Sequence, residues 1–376
     1  MASGLRIAVA GLAVLLAACS TGYQRSVAPA QVSPGVLSEP VGPVGLATGP
    51  ASDPPLDLAV VVFDSADPAT GAAPPAFPTV RKAETLLLPV TLARTLRDSA
   101  AFGVVRVVHA DDVFLPLRLE TSILTAEAAV LELRVRLYGA DEALLHEARY
   151  RDEAQPGDYP VKAGSDPFAD LYRAISNDVR AAVQALSPAY RQELARLALL
   201  RFGARLAPDS FARYVRDSEQ GGLTLAAYPA DDDPMLERLQ RLRRQDDLFV
   251  DTVDEQYRQL STRVGDSYDL WRSYVYELES YGSAYRESAA QRDSRARRGS
   301  FASMQQVYAT YRKVKLQEED LQDLVRGFDG EALETVIDVD DDVFRLSGSV
   351  AERYAQWRAI LSRIYGLEVG VPAVQP

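Results

Sequence analysis

The feature that most constrains the fold is a proline-free stretch that starts at Asp233-Pro234. Its apolar residues recur every three or four positions, as on one face of a helix: Phe249, Val253, Tyr257, Leu260, Val264, Tyr268, Trp271, Val275 and Leu278. A second run has the same spacing: Phe301, Met304, Tyr308, Tyr311, Val314, Leu321, Val325 and Phe328. The two runs predict an antiparallel, coiled-coil-like helical hairpin with these residues in its seam and residues 291–299 at its tip.

The residues before this hairpin have strand-like patterns. Strands are predicted at 58–63, 102–108, 115–125, 129–138 and 143–150. Helices are predicted over 81–99 and from Pro167 to about residue 183. Pro89 argues against a regular helix over 81–99, because a proline inside a helix removes a backbone hydrogen bond. The predicted fold class is therefore α+β. It consists of an N-terminal α/β sandwich, an antiparallel meander with two helices on one face, followed by a mainly α-helical domain with the long hairpin.

Changes in composition set the predicted domain boundaries. The divisions are a signal peptide at 1–18, a Pro/Gly-rich tether at 19–55, an α+β domain at 56–186 and a mainly helical domain at 187–376. Helix starts are expected at Ser187-Pro188 and at Pro208. Near the end, alternating residues at 334–339 and 343–347 predict a small β-hairpin, and residues 350–364 predict a closing helix.

The charge balance limits the classes of partner. The chain has a formal net charge of -12, which argues against a nucleic-acid partner because phosphate binding needs a basic surface. It has one cysteine, Cys19, so no intramolecular disulfide can form. No apolar run reaches the length of about 20 residues that a spanning helix needs.

The amino terminus has the pattern of a secretory signal. Arg6 precedes an apolar run at 7–16, and small residues follow. Leu16-Ala17-Ala18-Cys19 resembles the lipobox of bacterial lipoproteins, and this resemblance implies cleavage before Cys19 and acylation of Cys19 with fatty acids such as palmitate. Ser20 follows the cysteine, which in that family's sorting rule implies an outer-membrane anchor that faces the periplasm. Acyl chains would then attach the chain to the membrane.

A second resemblance covers about 130 residues of the first domain. A strand, a helix that ends in Leu96-Arg97-Asp98-Ser99, a strand at 102–108, a meander and a closing helix follow one another. This order resembles the fold of auxiliary lipoproteins of ABC transport systems and of the amino-terminal domain of TolB. It rests on order and spacing, and those families do not carry the second half of this chain. The resemblance implies an accessory role in transport or assembly.

Two sets of residues are candidates for contact with a partner. Tyr274 and Tyr281 are seven residues apart and lie off the main seam of the predicted hairpin, where amphipathic aromatic side chains could meet a partner or the first domain. The basic tip contains Arg292, Arg295, Arg297 and Arg298. An acidic protein, phospholipid headgroups or an anionic glycan would suit these arginines, and a solvated turn is the alternative.

Catalytic and metal-binding patterns are weak in this sequence. His109 and His146 stand in no metal motif and are read as a loop residue and an exposed strand residue. The acidic run 338–342 starts like a calcium loop, but Val343 occupies the position that requires glycine. No nucleophile motif or phosphate loop is visible. We therefore expect no catalytic residues, no metal and no cofactor.

These observations favour a non-enzymatic, outer-membrane-anchored periplasmic lipoprotein that serves as an accessory or scaffold in an envelope assembly or transport system, through contact with an envelope protein. One alternative is an envelope hydrolase that acts on peptidoglycan or lipid through carboxylates of the helical domain. A cleft with two close carboxylates, one of them with a raised pKa, would favour it. The other alternative is a structural lipoprotein that assembles with copies of itself.

Overall fold

The computed structural model describes residues 39–65, 77–109, 114–162, 164–219, 221–230, 232–291, 298–330, 335–339 and 342–369. The strands are β1 (Leu58–Val61), β2 (Asp64–Ser65), β3 (Val105–Val108), β4 (Leu117–Ala126), β5 (Val130–Gly139), β6 (Leu144–Glu153), β7 (Val215–Asp217), β8 (Leu223–Leu225), β9 (Thr335–Val339) and β10 (Asp342–Leu346). The helices are α1 (Pro78–Asp98), α2 (Ala169–Gln184), α3 (Pro188–Leu206), α4 (Pro208–Phe211), α5 (Pro234–Gln291), α6 (Arg298–Gly330) and α7 (Val350–Val369). The predicted α+β class is confirmed.

The main sheet is mixed. Its strand order is β3-β1-β4-β5-β6, and the short β2 pairs with β4. The meander β4-β5-β6 is antiparallel, as the alternation of apolar and polar residues predicts. However, β1 runs parallel to both of its neighbours, and α1 forms the crossover connection between β1 and β3.

Helix α1 begins at Pro78, earlier than predicted, and continues through Pro89. A proline inside a helix cannot donate to the carbonyl four residues earlier, which here belongs to Thr85. The backbone N–H of Phe63, just after β1, donates to that carbonyl instead, at 3.0 Å. The sheet connection therefore satisfies the acceptor that Pro89 leaves open.

Strand β1 is buried on both faces. Leu58 and Val60 belong to the large core that includes α1. Ala59 and Val61 point to the opposite face, where they pack with Val250 of α5. Helices α1 and α2 both contribute to the first of these clusters, and α5 of the helical part covers the second face at β1.

The end of the predicted tether is bound to the folded body. Residues 41–49, which we call the strap, hydrogen-bond to β6, to α2 and to the end of α1. The bonds are Val41 N to Arg151 O (2.7 Å), Val44 N to Asp170 Oδ1 (3.2 Å), Ala47 N to Asn177 Oδ1 (2.8 Å), Asn177 Nδ2 to Gly45 O (2.9 Å) and Gly49 N to Ser99 O (3.1 Å). The prediction of a free tether is therefore wrong for the strap. It stays a prediction for the residues before the strap, of which residues 1–38 lie outside the described residues.

The helical part follows the predicted elements closely. Helix α5 has 58 residues, about 87 Å at 1.5 Å per residue. It runs along β3 and α1 and pairs with α6. A single large cluster of buried apolar residues extends from β1 to α7. None of the described helices combines the length and the apolar composition that a membrane span requires.

Candidate functional site

The seam of the α5–α6 hairpin is narrower than the sequence pattern predicts. On α5, the predicted seam residues Val264, Trp271 and Val275 are buried. On α6 the buried residues include Thr310, Val314 and Leu321. Val314 and Leu321 were predicted to face the seam, and both are buried.

Three other residues of α6 that were predicted to lie in the seam are exposed. Met304, Tyr308 and Tyr311 expose 59%, 62% and 44% of their surface. Successive helical residues are about 100° apart, so Tyr311 points well away from the buried Thr310. The exposed residues and the buried residues of α6 each recur at helical spacing. The spacing alone therefore cannot tell which of the two sets faces α5.

The position of α6 is fixed by contacts with the start of α1. Thr79 donates to Glu318 at 2.8 Å. Lys315 forms an ion pair with the same carboxylate at 2.6 Å and lies 5.6 Å from the centre of the Phe77 ring. With α6 held in this position, Val314 and Leu321 are buried and Met304, Tyr308 and Tyr311 are exposed. We call these three exposed residues the α6 stripe.

The surroundings of the α6 stripe are basic. Between residues 298 and 315 the sequence contains Arg298, Arg312, Lys313 and Lys315 and no acidic residue. The rest of α6, residues 316–330, is rich in Glu and Asp. An exposed apolar line in a basic segment of an acidic chain has the features of a surface that binds an acidic partner.

Of the residues predicted for partner contact, Tyr274 is the one whose side chain the structure describes. Tyr274 is half-buried on α5, and the Lys313 ammonium lies 5.0 Å from its ring centre, across the hairpin. Tyr281 lies in α5 and Arg298 begins α6, but their side chains lie outside the described part. Arg292, Arg295 and Arg297 lie outside the described residues, as does Cys19. The exposed Met304, Tyr308 and Tyr311 are further candidate interaction residues, which the sequence pattern had placed in the seam.

Trp271 connects the hairpin to the α/β part of the molecule. It is 2% exposed, and its ring packs edge-on against Phe77 at a centroid distance of 5.3 Å. It also stacks on Tyr268 at 5.9 Å. The Tyr268 hydroxyl donates at 2.9 Å to Glu84, a buried residue of α1 whose other carboxylate oxygen accepts from Arg81 at 2.8 Å. Burial raises the pKa of Glu84, and the Arg81 guanidinium opposes this shift.

A small acidic pocket lies beside this cluster. It has a volume of about 100 Å³, and Arg81, Glu84, Glu127, Trp271 and Glu279 are among its lining residues. Burial and repulsion by Glu127 raise the pKa of Glu279 to about 7. Three carboxylates therefore line one pocket, and the pKa values of two of them, Glu84 and Glu279, are raised.

The two histidines lie far apart in the fold. His146 is half-buried rather than exposed as expected, and its Nε2 is 2.9 Å from the Tyr150 hydroxyl, which donates to Asp178 at 2.8 Å. Burial lowers the pKa of His146. His109 follows β3 and lines a different cavity. Among the residues that the structure describes, no group of three or more His, Cys, Asp or Glu side chains could hold a metal ion.

No protein-family model matches the chain, and no curated protein matches it.

Proposed function

We propose that this chain is a non-enzymatic, lipid-anchored accessory protein of the bacterial envelope that binds an acidic envelope protein through the α5–α6 hairpin. The observation that carries the proposal is the α6 stripe, where Met304, Tyr308 and Tyr311 are exposed on a segment of α6 whose sequence is basic. Large apolar residues aligned on one exposed helix face are typical of protein interfaces. The rest of α6 is held by α1 and α5, so the stripe is presented on a supported helix.

A site-specific photo-crosslinker at position 308, in cells that make the full chain, tests this role. Position 319 is the matched control, because Glu319 is also exposed on α6 but belongs to its acidic part. A crosslinked product of defined mass from position 308, and none from 319, supports the proposal. A product with the mass of two chains would instead support self-assembly. Equal products from both positions would contradict a specific interface.

The proposed anchor is tested separately. Replacement Cys19→Ala removes the sulfur that the lipobox would acylate, so we expect an unprocessed or mislocalised precursor that no longer incorporates labelled fatty acid. Cells that express the wild-type chain are the control. Fatty-acid label that stays on the Cys19→Ala chain would contradict the lipoprotein assignment.

The acidic pocket is the specific observation that favours the alternative of an envelope hydrolase. The raised pKa of Glu279 is suited to a general acid. However, the pocket volume of about 100 Å³ is smaller than the roughly 300–1,000 Å³ that ligand sites commonly enclose. In addition, Arg81 and Tyr268 already donate hydrogen bonds to the two oxygens of the Glu84 carboxylate. Release of soluble fragments from purified peptidoglycan by the wild type, but not by Glu279→Gln, would overturn the non-enzymatic proposal.

A further inference from the structure

The antiparallel meander β4-β5-β6 has a polar outer face. Its other face belongs to the core, to which β5 contributes Leu131, Leu133, Val135 and Leu137. Alternate residues of a strand point to opposite faces, so the residues between these four lie on the outer face. In the middle of that face, Ser122 of β4, Arg134 of β5 and Arg149 of β6 stand in register across the three strands, and all three are half-exposed. We call these three residues the arginine row.

The two arginines of the row are close neighbours with the same charge. Arg151, two residues further along β6, accepts the hydrogen bond of the Val41 N–H through its carbonyl, so its backbone groups point away from β5. The backbone of Arg149 has the same direction, and Arg149 and Arg134 therefore form a non-hydrogen-bonded pair, with Cα atoms about 4.5 Å apart and side chains close together. Like charges directly opposite each other destabilise a sheet. An anion bound between the two guanidinium groups would remove this repulsion.

The side chains of the arginine row have no partner within the part of the chain that the structure describes. Arg134 and Arg149 make no ion pair, side-chain hydrogen bond or ring contact there, and the Ser122 hydroxyl makes no hydrogen bond. The next arginine on the outer face of β5 is different, because Arg136 lies 3.5 Å from the Glu120 carboxylate. The N–H donors of the row are therefore open to a ligand.

The carboxylates of this face lie in the rows on either side of the arginine row. Glu120 and Glu147 flank Arg136 in one neighbouring row, and Glu132 stands opposite Arg151 in the other. Neither neighbouring row has a net positive charge, so the excess positive charge of this face is centred on the arginine row. A long polyanion along the strands would meet these carboxylates, whereas a single compact anionic group would not.

We infer that the arginine row binds a phosphate monoester group. A guanidinium binds an oxyanion through two parallel N–H donors, and the two oxygens of a carboxylate fill one such fork. A phosphate monoester has three terminal oxygens and a charge of about -1.5 to -2 at pH 7, which suits two adjacent guanidinium groups. The Ser122 hydroxyl would donate a further hydrogen bond. This inference goes beyond the proposed function, because the row lies on the sheet and shares no residue with the α6 stripe.

Calorimetric titration of the full chain with glycerol phosphate tests the inference. Glycerate, in which a carboxylate replaces the phosphate group, is the comparison ligand at the same ionic strength. We expect one site per chain and an affinity for glycerol phosphate about tenfold or more above that for glycerate, the effect of one further charge-assisted hydrogen bond. Arg134→Gln and Arg149→Gln should each lower the affinity by a similar factor. Arg136→Gln is the matched control, since Arg136 lies on the same face of β5 but is paired with Glu120.

The melting temperature separates binding from a structural role of the two arginines. Replacement of one arginine removes the repulsion within the pair, so Arg134→Gln and Arg149→Gln should melt no lower than the wild type without ligand. Glycerol phosphate should raise the melting temperature of the wild type and of Arg136→Gln, and it should leave that of the other two variants unchanged.

A short-chain phosphatidic acid distinguishes two sources of the phosphate group. Tighter binding of dihexanoyl phosphatidic acid than of glycerol phosphate, lost in Arg134→Gln, would assign the row to a phospholipid headgroup, and equal binding would assign it to a soluble phosphate ester. No saturable binding of either compound, equal affinities for glycerol phosphate and glycerate, or equal losses in Arg134→Gln and Arg136→Gln would overturn the inference. A lower melting temperature of both Arg134→Gln and Arg149→Gln without ligand would also overturn it, because the two arginines would then stabilise the sheet.

Discussion

At the scale of single residues, buried carboxyl groups shape the response of this protein to pH. Burial raises the pKa of Asp152 to about 6, and burial with repulsion by Glu127 raises that of Glu279 to about 7. The ordinary values are 3.8 and 4.5. Between the ordinary and the raised value, the folded chain binds more protons than the unfolded chain, so stability falls as the pH rises through that window.

We therefore predict that Glu279 makes the chain less stable above pH 7 than below pH 4.5. Glu279→Gln should reduce the decline in melting temperature between those limits, whereas Glu277→Gln, on the same turn of α5, should not. His146 acts in the opposite direction, because its lowered pKa destabilises the fold as the pH falls below 6.5. Thermal melts of the three proteins across this range measure the difference. Parallel pH profiles for wild type and Glu279→Gln would contradict the assignment.

Trp271 carries the second residue-scale prediction. Its ring fills the junction between α1 and α5, so Trp271→Ala should lower the free energy of unfolding by about 3 to 5 kcal/mol, the range for a large buried aromatic residue. Trp271→Phe should cost less, since it keeps the ring contact with Phe77 and removes an indole N–H that is buried without a partner among the described residues. Tyr308→Ala is the exposed control and should change stability by less than about 0.5 kcal/mol. Chemical denaturation measures all three.

At the scale of elements, α5 protects the edge of the sheet. β3 is an edge strand, and the N–H of Val107 donates to Asp254 of α5 at 2.8 Å. Arg97 of α1 donates two hydrogen bonds to the same carboxylate, both at 2.8 Å. One side chain thus joins a strand and two helices and satisfies an edge donor that would otherwise be open to another strand.

We predict that Asp254→Ala costs about 2 to 4 kcal/mol, because it leaves Arg97 and the Val107 N–H without their acceptor. The control is Glu255→Ala, whose exposed ion pair with Arg258 contributes at most about 1 kcal/mol. Hydrogen exchange at Val107 should accelerate in Asp254→Ala. An unchanged exchange rate there, with the predicted loss of stability, would mean that the edge does not depend on this carboxylate.

The elements themselves were largely predictable from the sequence. The strands and helices follow local periodicity, and caps such as Ser187, which accepts from Tyr190 N at 3.2 Å, lie where the sequence places them. The partners of these elements were not predictable. Nothing near Asp254 indicates that it binds β3, and the spacing of Tyr308 and Tyr311 does not reveal which side of α6 faces α5. The arginine row combines residues of three strands, which no local pattern connects.

At the scale of the whole molecule, residues 56–186 and 187–376 share one large core. We still predict that the fragment 56–186 folds cooperatively, because the sheet and the helices α1 and α2 supply their own apolar layer. It should melt at a lower temperature than the full chain and associate through β3, which loses the cover of α5. Calorimetry and sedimentation of the fragment measure both effects. A fragment that stays unfolded would show that the sheet requires α5.

The strap gives the molecule a mechanical property. If the amino terminus is held in a membrane and a partner holds the hairpin, tension along the chain acts first on the hydrogen bonds of residues 41–49, such as those of Val41 and Ala47. These bonds can open one after another, without breaking the sheet, and each released residue adds about 3.3 Å of reach. The strap would then detach and extend under tension, and it would bind to the folded body again when the tension is removed.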